Sequence, residues 1–303
     1  MTSLESVSGV RGDRIAAHEL REARVLRGEP LVLSAVVDFG QRGKLADAVH
    51  VAGSDADIQE GAVAAQARTV HRILLIAAHP DDVDFGCGGT IATWADAGIT
   101  VSYCIVTDGD AGGFDLGVPR TAIAGIRQDE QRKAAATLGV TDVEFLGYPD
   151  GRLEVSFELR RDITRAIRRT RPDRVVIQSP QRDLRSLYGS HPDHQAAGEA
   201  ALCAAYPDAR NPFAHPELLA EEGLDAHTVP EVWVTSSNDR AEHYVDITDT
   251  FDRKVAALRA HASQTAHWTT LEERMREWGS MQARAAGLED GRLAEGYLVL
   301  DTR

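Results

Sequence analysis

Cysteine is scarce in this chain, and its few thiols are unpaired in the sequence. The three cysteines are Cys87, Cys104 and Cys203, and they form no Cys-x-x-Cys pair. Neither a disulfide framework nor a cysteine-bound zinc cage is therefore predicted. Such a chain suits a reducing cytoplasm, which is the compartment we expect.

Long apolar runs are also absent from the sequence. No stretch approaches the roughly 20 apolar residues that a membrane-spanning helix requires. The N-terminal segment carries Arg11, Asp13 and Arg14, where a secretory signal needs its apolar centre. Neither a membrane nor a secretory route is expected.

Positive charge is in deficit. With 33 Lys and Arg against 47 Asp and Glu, the formal net charge is -14. Phosphate backbones and anionic lipid surfaces are bound mainly by clustered Lys and Arg. The composition therefore argues against nucleic acid or membrane partners and favours a small-molecule ligand, and a homo-oligomer remains compatible with it.

The chain is long enough for a substantial core. Its 303 residues, 43% of them apolar, can form one large α/β domain or two smaller ones. From residue 71 onward, short aliphatic runs alternate with helix-like segments. This alternation predicts a Rossmann-like α/β fold, with a mostly parallel, doubly wound sheet and helices on both faces.

The predicted elements divide the chain into two regions. We expect strands near 72–78, 99–106, 143–147, 174–179 and 229–236, and helices near 88–97, 126–138, 157–170, 193–205, 249–263 and 269–286. The glycine-rich stretch 108–125 is expected to be a loop over the strand ends. Residues 1–70 carry no chemical motif and are predicted to be an appendage to a domain formed by residues 71–303.

Two similar clusters contain the most informative side chains. His79-Pro80-Asp81-Asp82 directly follows an aliphatic run, and His191-Pro192-Asp193-His194 comes more than a hundred residues later. Each proline keeps the preceding histidine extended, on a stiff turn. A single cluster of this kind would most simply cap a helix. The second cluster favours one shared metal site, since imidazoles and carboxylates with an open position suit catalytic Zn²⁺.

These motifs resemble those of the PIG-L/LmbE-like zinc-dependent de-N-acetylases. The resemblance covers about residues 70–300 and rests on the segments Ala78–Thr90, Thr107–Gly109, Arg127–Glu130, Gly147–Gly151, His191–His194 and His261–Gln264. The family includes N-acetylglucosaminide deacetylases of thiol biosynthesis and mycothiol-conjugate amidases. Residues 1–70 have no counterpart in this resemblance.

The resemblance also implies roles for individual residues. It implies three metal ligands, His79, Asp82 and His194. Asp81 would be the general base, and His191 the acid or oxyanion stabiliser, oriented by Asp193. The residues alone leave open which of His191 and His194 binds the metal. The chain departs from the family pattern at Val83, where glutamate is common.

Weaker signals concern the substrate and a rival motif. Arg127 could hold a sugar hydroxyl or an anionic group, and Asp150 could accept from sugar hydroxyls, although a solvated helix turn and a turn-forming aspartate explain them equally well. The stretch Gly86-x-Gly88-Gly89 suggests a dinucleotide loop. It lacks the full glycine spacing and does not directly follow a strand, so close helix packing is the preferred interpretation.

The sequence thus predicts a cytoplasmic, metal-dependent amidase that deacetylates an N-acetylglucosamine-type or related small substrate. The expected cofactor is Zn²⁺, although histidine and aspartate ligands also accept Fe²⁺. One alternative is a metal-dependent phosphoester hydrolase, which would call for a second set of metal ligands. Another is a non-catalytic sugar- or metal-binding protein, which would not need Asp81 and His191.

Overall fold

Seven strands of the described residues form one mixed sheet. The structure is a computed structural model that describes residues 69–115, 117–184, 187, 189–235 and 241–303. The strands are β1 (Arg72–Ala77), β2 (Thr100–Thr107), β3 (Asp142–Tyr148), β4 (Arg174–Ile177), β5 (Glu231–Thr235), β6 (His243–Asp246) and β7 (Ala294–Asp301). Their spatial order is β3-β2-β1-β4-β5-β7-β6. The first five pair in parallel, whereas β7 runs antiparallel to both of its neighbours.

Helices cover both faces of this sheet. They are α1 (Asp82–Asp96), α2 (Arg120–Thr137), α3 (Phe157–Thr170), α4 (Pro192–Cys203), α5 (Glu217–Ala220), α6 (Phe251–Ala260), α7 (Ala262–Thr265) and α8 (Leu271–Ala285). After α4 the chain kinks within Ala204–Asp208, where Tyr206 is extended (φ -147°, ψ 119°), and a 3-10 turn, Thr248–Thr250, precedes α6. No described helix is both long and apolar enough to cross a bilayer.

The alternation of side chains along β1 explains the two layers. Leu74 and Ile76 are buried in a cluster with side chains of α3 and α4. Ile73 and Leu75 point the other way, into a cluster with α1, α2 and α6. A strand segment buried on both faces must be apolar throughout, as β1 is from Ile73 to Ala77. The Rossmann-like prediction is thus confirmed.

The strand order reverses between β1 and β4, which lie side by side. Chains leaving the carboxyl ends of these two strands diverge to opposite faces of the sheet, and this opens the crevice in which α/β proteins bind ligands. His79 follows β1, and the His191 cluster follows β4. Gln178, just after β4, accepts a hydrogen bond from the Ala78 amide at 2.8 Å, which ties the two strand ends together.

The predicted elements differ from the structure at the starts of two helices and at the antiparallel edge of the sheet. Helix α2 begins at Arg120, inside the stretch 108–125 that was expected to be a loop. Helix α1 begins at Asp82, six residues before the predicted start, because its glycines lower the apparent helix propensity. The antiparallel strands β6 and β7 were not predicted. The 1–70 prediction lies almost wholly outside the described residues and stays a prediction.

The glycines of α1 serve close packing. A Cβ at Gly89 would lie 2.6 Å from Ile247 Cβ, and one at Gly88 would lie 3.0 Å from Lys254 Cγ. Both glycines are inside the helix, where they let the segment leading into α6 approach the backbone. This agrees with the packing interpretation rather than with a dinucleotide loop.

Candidate metal centre

The first cluster forms a tight turn between β1 and α1. The Asp82 carboxylate accepts a hydrogen bond from the His79 backbone amide at 2.7 Å, so it closes the turn as well as facing the crevice. Asp81 adopts φ 93° and ψ -27°, a left-handed backbone conformation that is uncommon outside glycine. The turn thus places two adjacent carboxylates on different sides of the chain.

The second cluster begins α4. Pro192 occupies the first turn of the helix, where its missing N–H costs nothing. His191 Nδ1 accepts a hydrogen bond from the Asp193 amide at 3.2 Å. This places the proton of a neutral His191 on Nε2, because Nδ1 serves as the acceptor.

The two clusters meet at Asp82. One carboxylate oxygen lies 3.2 Å from His79 Nδ1, and the other lies 3.1 Å from His194 Nε2. The His79 and His191 ring centroids are 4.9 Å apart, and those of His79 and His194 are 5.2 Å apart. One ring nitrogen from each of the three histidines lies within 4.8 Å of the others. The fold therefore brings together all three predicted ligands, with His191 beside them.

Two further carboxylates contact the opposite side of the His79 ring. His79 Nε2 lies 3.1 Å from Asp150 Oδ1 and 3.2 Å from Asp193 Oδ2. The Asp193 carboxylate also accepts from the Gly151 and Leu153 amides, at 2.7 and 3.2 Å. Carboxylates placed in this way fix the tautomer of a ligating histidine and leave its other nitrogen free for a metal ion.

These contacts concern two of the predicted roles, which stay predictions. The Asp193 carboxylate faces His79, and only the backbone amide of Asp193 contacts His191, because the amides of the Gly151 turn draw the carboxylate away. Asp150, predicted to accept from substrate hydroxyls, contacts His79 and accepts from the Ala111 amide at 3.3 Å. Both carboxylates lie against the His79 ring, and Asp150 also lines the cavity described below.

The electrostatics of the cluster reflect its carboxylates. Burial alone would lower the pKa of His79, but hydrogen bonds to Asp150, Asp193 and Asp82 raise it to about 12. The pKa of His194 is likewise raised by Asp82, despite burial. The pKa of Asp82 falls well below its usual range because the attraction of both histidines outweighs burial. The imidazoles thus share their protons with carboxylates, and a divalent cation would displace those protons.

The neighbouring Asp81 and His191 are shifted in different ways. Burial and the nearby Asp82 charge raise the pKa of Asp81 to about 6, against the opposing attraction of Arg127. Burial, together with the charges of His79 and His194, lowers the pKa of His191. Near neutral pH the pair therefore consists of a carboxylate with raised basicity and a neutral imidazole.

Arg127 is held within the protein, beneath the glycine-rich loop. Its guanidinium donates to Asp81 Oδ2 at 3.2 Å and to the Gly109 carbonyl at 3.1 Å. A Cβ at Gly109 or Gly112 would lie only 2.5 or 2.4 Å from Arg127 Nη1, so the loop needs glycine to close over the guanidinium. Arg127 also lines the cavity described below, so its predicted contact with substrate stays a prediction.

A cavity of about 890 Å³ opens beside these groups. His79, Asp81, Asp82, His191 and His194 line its polar part, and its apolar part includes Phe85, Met275, Trp268 and Trp278. This volume is within the range of small-molecule sites. The arrangement combines a metal-type donor set, the half-buried carboxylate of Asp81 and an imidazole donor at the edge of one cavity.

Comparison with known proteins identifies the family. The PIG-L model, described as GlcNAc-PI de-N-acetylase, matches residues 74–205. Diacetylchitobiose deacetylase from Thermococcus kodakarensis is 34% identical over 233 residues, covering 75% of this chain and 82% of that protein. The chain belongs to the PIG-L family. As a PIG-L protein it is a deacetylase, and its reaction is hydrolysis of an amide.

Other relatives agree with this assignment. A probable N-acetyl-alpha-D-glucosaminyl L-malate deacetylase 2 from Bacillus cereus is 31% identical, over 64% of this chain and 83% of that protein. The structure of N,N'-diacetylchitobiose deacetylase from Pyrococcus horikoshii has a TM-score of 0.70 and 30% identity, covering 77% of this chain and 84% of that one. GalB, a 4-carboxy-2-hydroxymuconate hydratase from Pseudomonas putida, is 22% identical with a TM-score of 0.64 and shares the fold alone.

Val83, which stands where glutamate is common in the family, belongs to the apolar core. Val83 is 4% exposed and packs with the helices on one face of the sheet. A valine there extends the apolar core directly beneath the turn that carries Asp81 and Asp82.

A buried polar cluster that the sequence did not predict lies beneath the turn that carries Asp81 and Asp82. Gln131 and Asp84 are both fully buried and hydrogen-bonded to each other, and His261 joins them. The available signals were the position of Gln131 four residues after Arg127 and the His261 motif near the end of the chain. Neither signal indicated that the three side chains meet beneath Asp81.

Proposed function

We propose that this chain is a zinc-dependent deacetylase that removes an acetyl group from an N-acetylglucosamine-type substrate. The observation that carries the proposal is the convergence of His79, Asp82 and His194, with Asp81 and His191 at the same cavity. Two imidazoles and a carboxylate form a catalytic zinc ligand set, and leave a position for water or substrate. The substrate class is supported by the names of the relatives, which act on N-acetylated glucosaminides.

The residues of the chain divide the reaction between them. A bound zinc ion would supply Lewis acidity toward the acetamide carbonyl and lower the pKa of a water molecule to about 7. Asp81, with its raised pKa, takes a proton from the attacking water. His191, protonated on Nε2, donates to the carbonyl oxygen as negative charge develops there. The proton held by Asp81 then passes to the departing nitrogen as the C–N bond breaks, and the second proton of the water leaves the acid product for the amine, so that water and amide yield acetate and a protonated amine.

The donor set favours one metal ion over two. Within the described residues, the second group that could hold a metal is His79 with Asp150 and Asp193, and it shares His79 with the first. A phosphoester hydrolase with two metals would call for an independent second set. Asp150 and Asp193 are better explained as carboxylates that orient His79.

The test is release of amine from a panel of N-acetylated glucosaminides, with metal content measured on the same sample. The panel contains N,N'-diacetylchitobiose, an N-acetylglucosaminyl malate, an N-acetylglucosaminyl inositol and a phosphomonoester. We expect amine release, its loss on chelation, and its recovery when Zn²⁺ is added back. Addition of Fe²⁺ to a parallel sample compares the two candidate metals. Phosphate release without amine release, or full activity in metal-free protein, would contradict the proposal.

A further inference from the structure

Helix α2 holds both ends of the peptide bond that precedes Asp81. Arg127 Nη2 donates to the Pro80 carbonyl at 2.5 Å, and Gln131 Oε1 accepts from the Asp81 amide at 2.7 Å. Arg127 and Gln131 are four residues apart and therefore lie on one face of the helix, a turn from each other. The carbonyl and the amide belong to one planar peptide unit, so the two contacts together fix its rotation.

The Gln131 side chain can be oriented in only one way. Its Nε2 donates to Asp84 Oδ2 at 2.8 Å, and His261 Nε2 lies 2.8 Å from the same oxygen. An ionised carboxylate only accepts, and the Asp81 amide only donates, so the glutamine must place its oxygen toward Asp81. Gln131, Asp84 and His261 are all fully buried, so bulk solvent does not reach these contacts.

This support is needed because the Asp81 backbone is unusual. At φ 93° it occupies a region that non-glycine residues rarely adopt and that persists only where the surroundings enforce it. A rotation of the preceding peptide would swing the Asp81 carboxylate within the cavity. Arg127 also donates to the Asp81 side chain, at 3.2 Å from Oδ2, so both the backbone and the carboxylate of Asp81 are held.

We propose that Gln131, held in place by Asp84 and His261, is a positioning residue for the Asp81 carboxylate. This inference rests on the proposed function, in which Asp81 is the general base. Gln131 touches neither metal ligands nor substrate in this role, and acts only through the backbone of Asp81.

The first measurement compares Gln131→Met with the unmodified chain. Methionine keeps the length and most of the volume of the side chain but makes neither hydrogen bond. We expect kcat to fall by about 10- to 100-fold, the scale of a small misplacement of a catalytic group, with KM within about 2-fold. Zinc content should not change. Gln131→Asn, one methylene shorter and unable to span both partners, should behave in the same way and replaces the first variant if that does not fold.

The matched control is Glu130→Gln. Glu130 is the next residue of α2, and its carboxylate accepts from the amide and hydroxyl of Ser263, at 2.8 and 2.6 Å, without contacting Asp81. It therefore ties α2 to α7 near His261 in a comparable way. We expect its kcat to remain within about 2-fold of the unmodified value.

The decisive measurement is a double-mutant cycle with Asp81→Asn. If Gln131 acts through the Asp81 carboxylate, Gln131→Met should lower kcat in the original chain but not further in the Asp81→Asn background. An equal loss in both backgrounds, no loss in the original chain, or loss of zinc in Gln131→Met would overturn the positioning role. If Asp81→Asn itself leaves kcat unchanged, the general-base assignment fails, whatever Gln131 does.

Discussion

Replacement of Gly89 by alanine tests whether the glycines of α1 are there for packing. The new Cβ would lie 2.6, 2.7 and 2.8 Å from Cβ, Cγ2 and Cδ1 of Ile247. Favourable carbon contacts lie at about 3.5–4.0 Å, so three atoms of one side chain overlap with it by about 1 Å. Ile247 is 1% exposed, and its Cβ is fixed to the backbone, so a rotamer change cannot remove the clash.

The expected magnitude is the difference of two effects. Overpacking of this kind costs about 1–3 kcal/mol. Alanine in place of glycine within a helix returns about 0.5–1 kcal/mol. Because the Cβ of Ile247 is itself involved, we take the upper half of the first range, about 2–3 kcal/mol, and expect Gly89→Ala to lower the free energy of unfolding by about 1–2.5 kcal/mol.

The matched control is Gly125→Ala in α2. A Cβ at Gly125 meets nothing within 4 Å, so no overpacking arises there. Only the gain from replacing glycine by alanine within a helix remains, and we expect the variant to be more stable by about 0.5–1 kcal/mol. Urea unfolding of both variants is monitored by circular dichroism. The shift in the unfolding midpoint gives the change in the free energy of unfolding when the denaturant slope m is unchanged. Equal shifts of the same sign in the two variants would refute the packing argument for α1, as would binding of a dinucleotide by the unmodified chain.

Three further predictions concern the metal site and the N-terminal segment. His194→Ala should lose most of its bound metal while keeping its circular dichroism spectrum, and stoichiometric metal in that variant would contradict the ligand assignment. Asp81→Asn should retain metal but lower kcat by on the order of 10²-fold, the scale of general-base loss; an unchanged kcat across the pH range would remove Asp81 from the mechanism. A chain that begins near Ala67 should bind metal and hydrolyse substrate as the full chain does, and insolubility or inactivity would show that residues 1–66 are needed.

Several parts of the site could be predicted because they depend on local chemistry. An aliphatic run of the β1 type predicts a buried parallel strand, and the polar residues that follow it must then lie at the carboxyl edge of the sheet. The family prediction drawn from the two His-Pro-Asp clusters is confirmed for the family, the fold and the deacetylase activity. The assignment of individual ligands and catalytic residues stays a prediction for the experiments above.

Other contacts could not be read from the chain. Asp193 is adjacent to His194 in sequence, yet its carboxylate lies against His79, more than a hundred positions away. Arg127 carries a charge that would suit a substrate, yet the fold places Asp81 and a glycine-rich loop around it. In both cases the partner is chosen by which loops meet at the sheet edge, and sequence spacing carries no information about that.

The sequence by itself determined the parallel strands and the paired metal-type clusters, because each of these follows from residue types over a few consecutive positions, and the resemblance carried by those clusters implied the class of chemistry. The tertiary structure decided which carboxylate supports which histidine, how Arg127 is used, and that Gln131, Asp84 and His261 meet beneath Asp81. It also decided that β7 runs antiparallel between β5 and β6. The hydrogen bonds among these side chains join residues 40 to 177 positions apart, and only the packing of helices on the sheet brings them within hydrogen-bond distance.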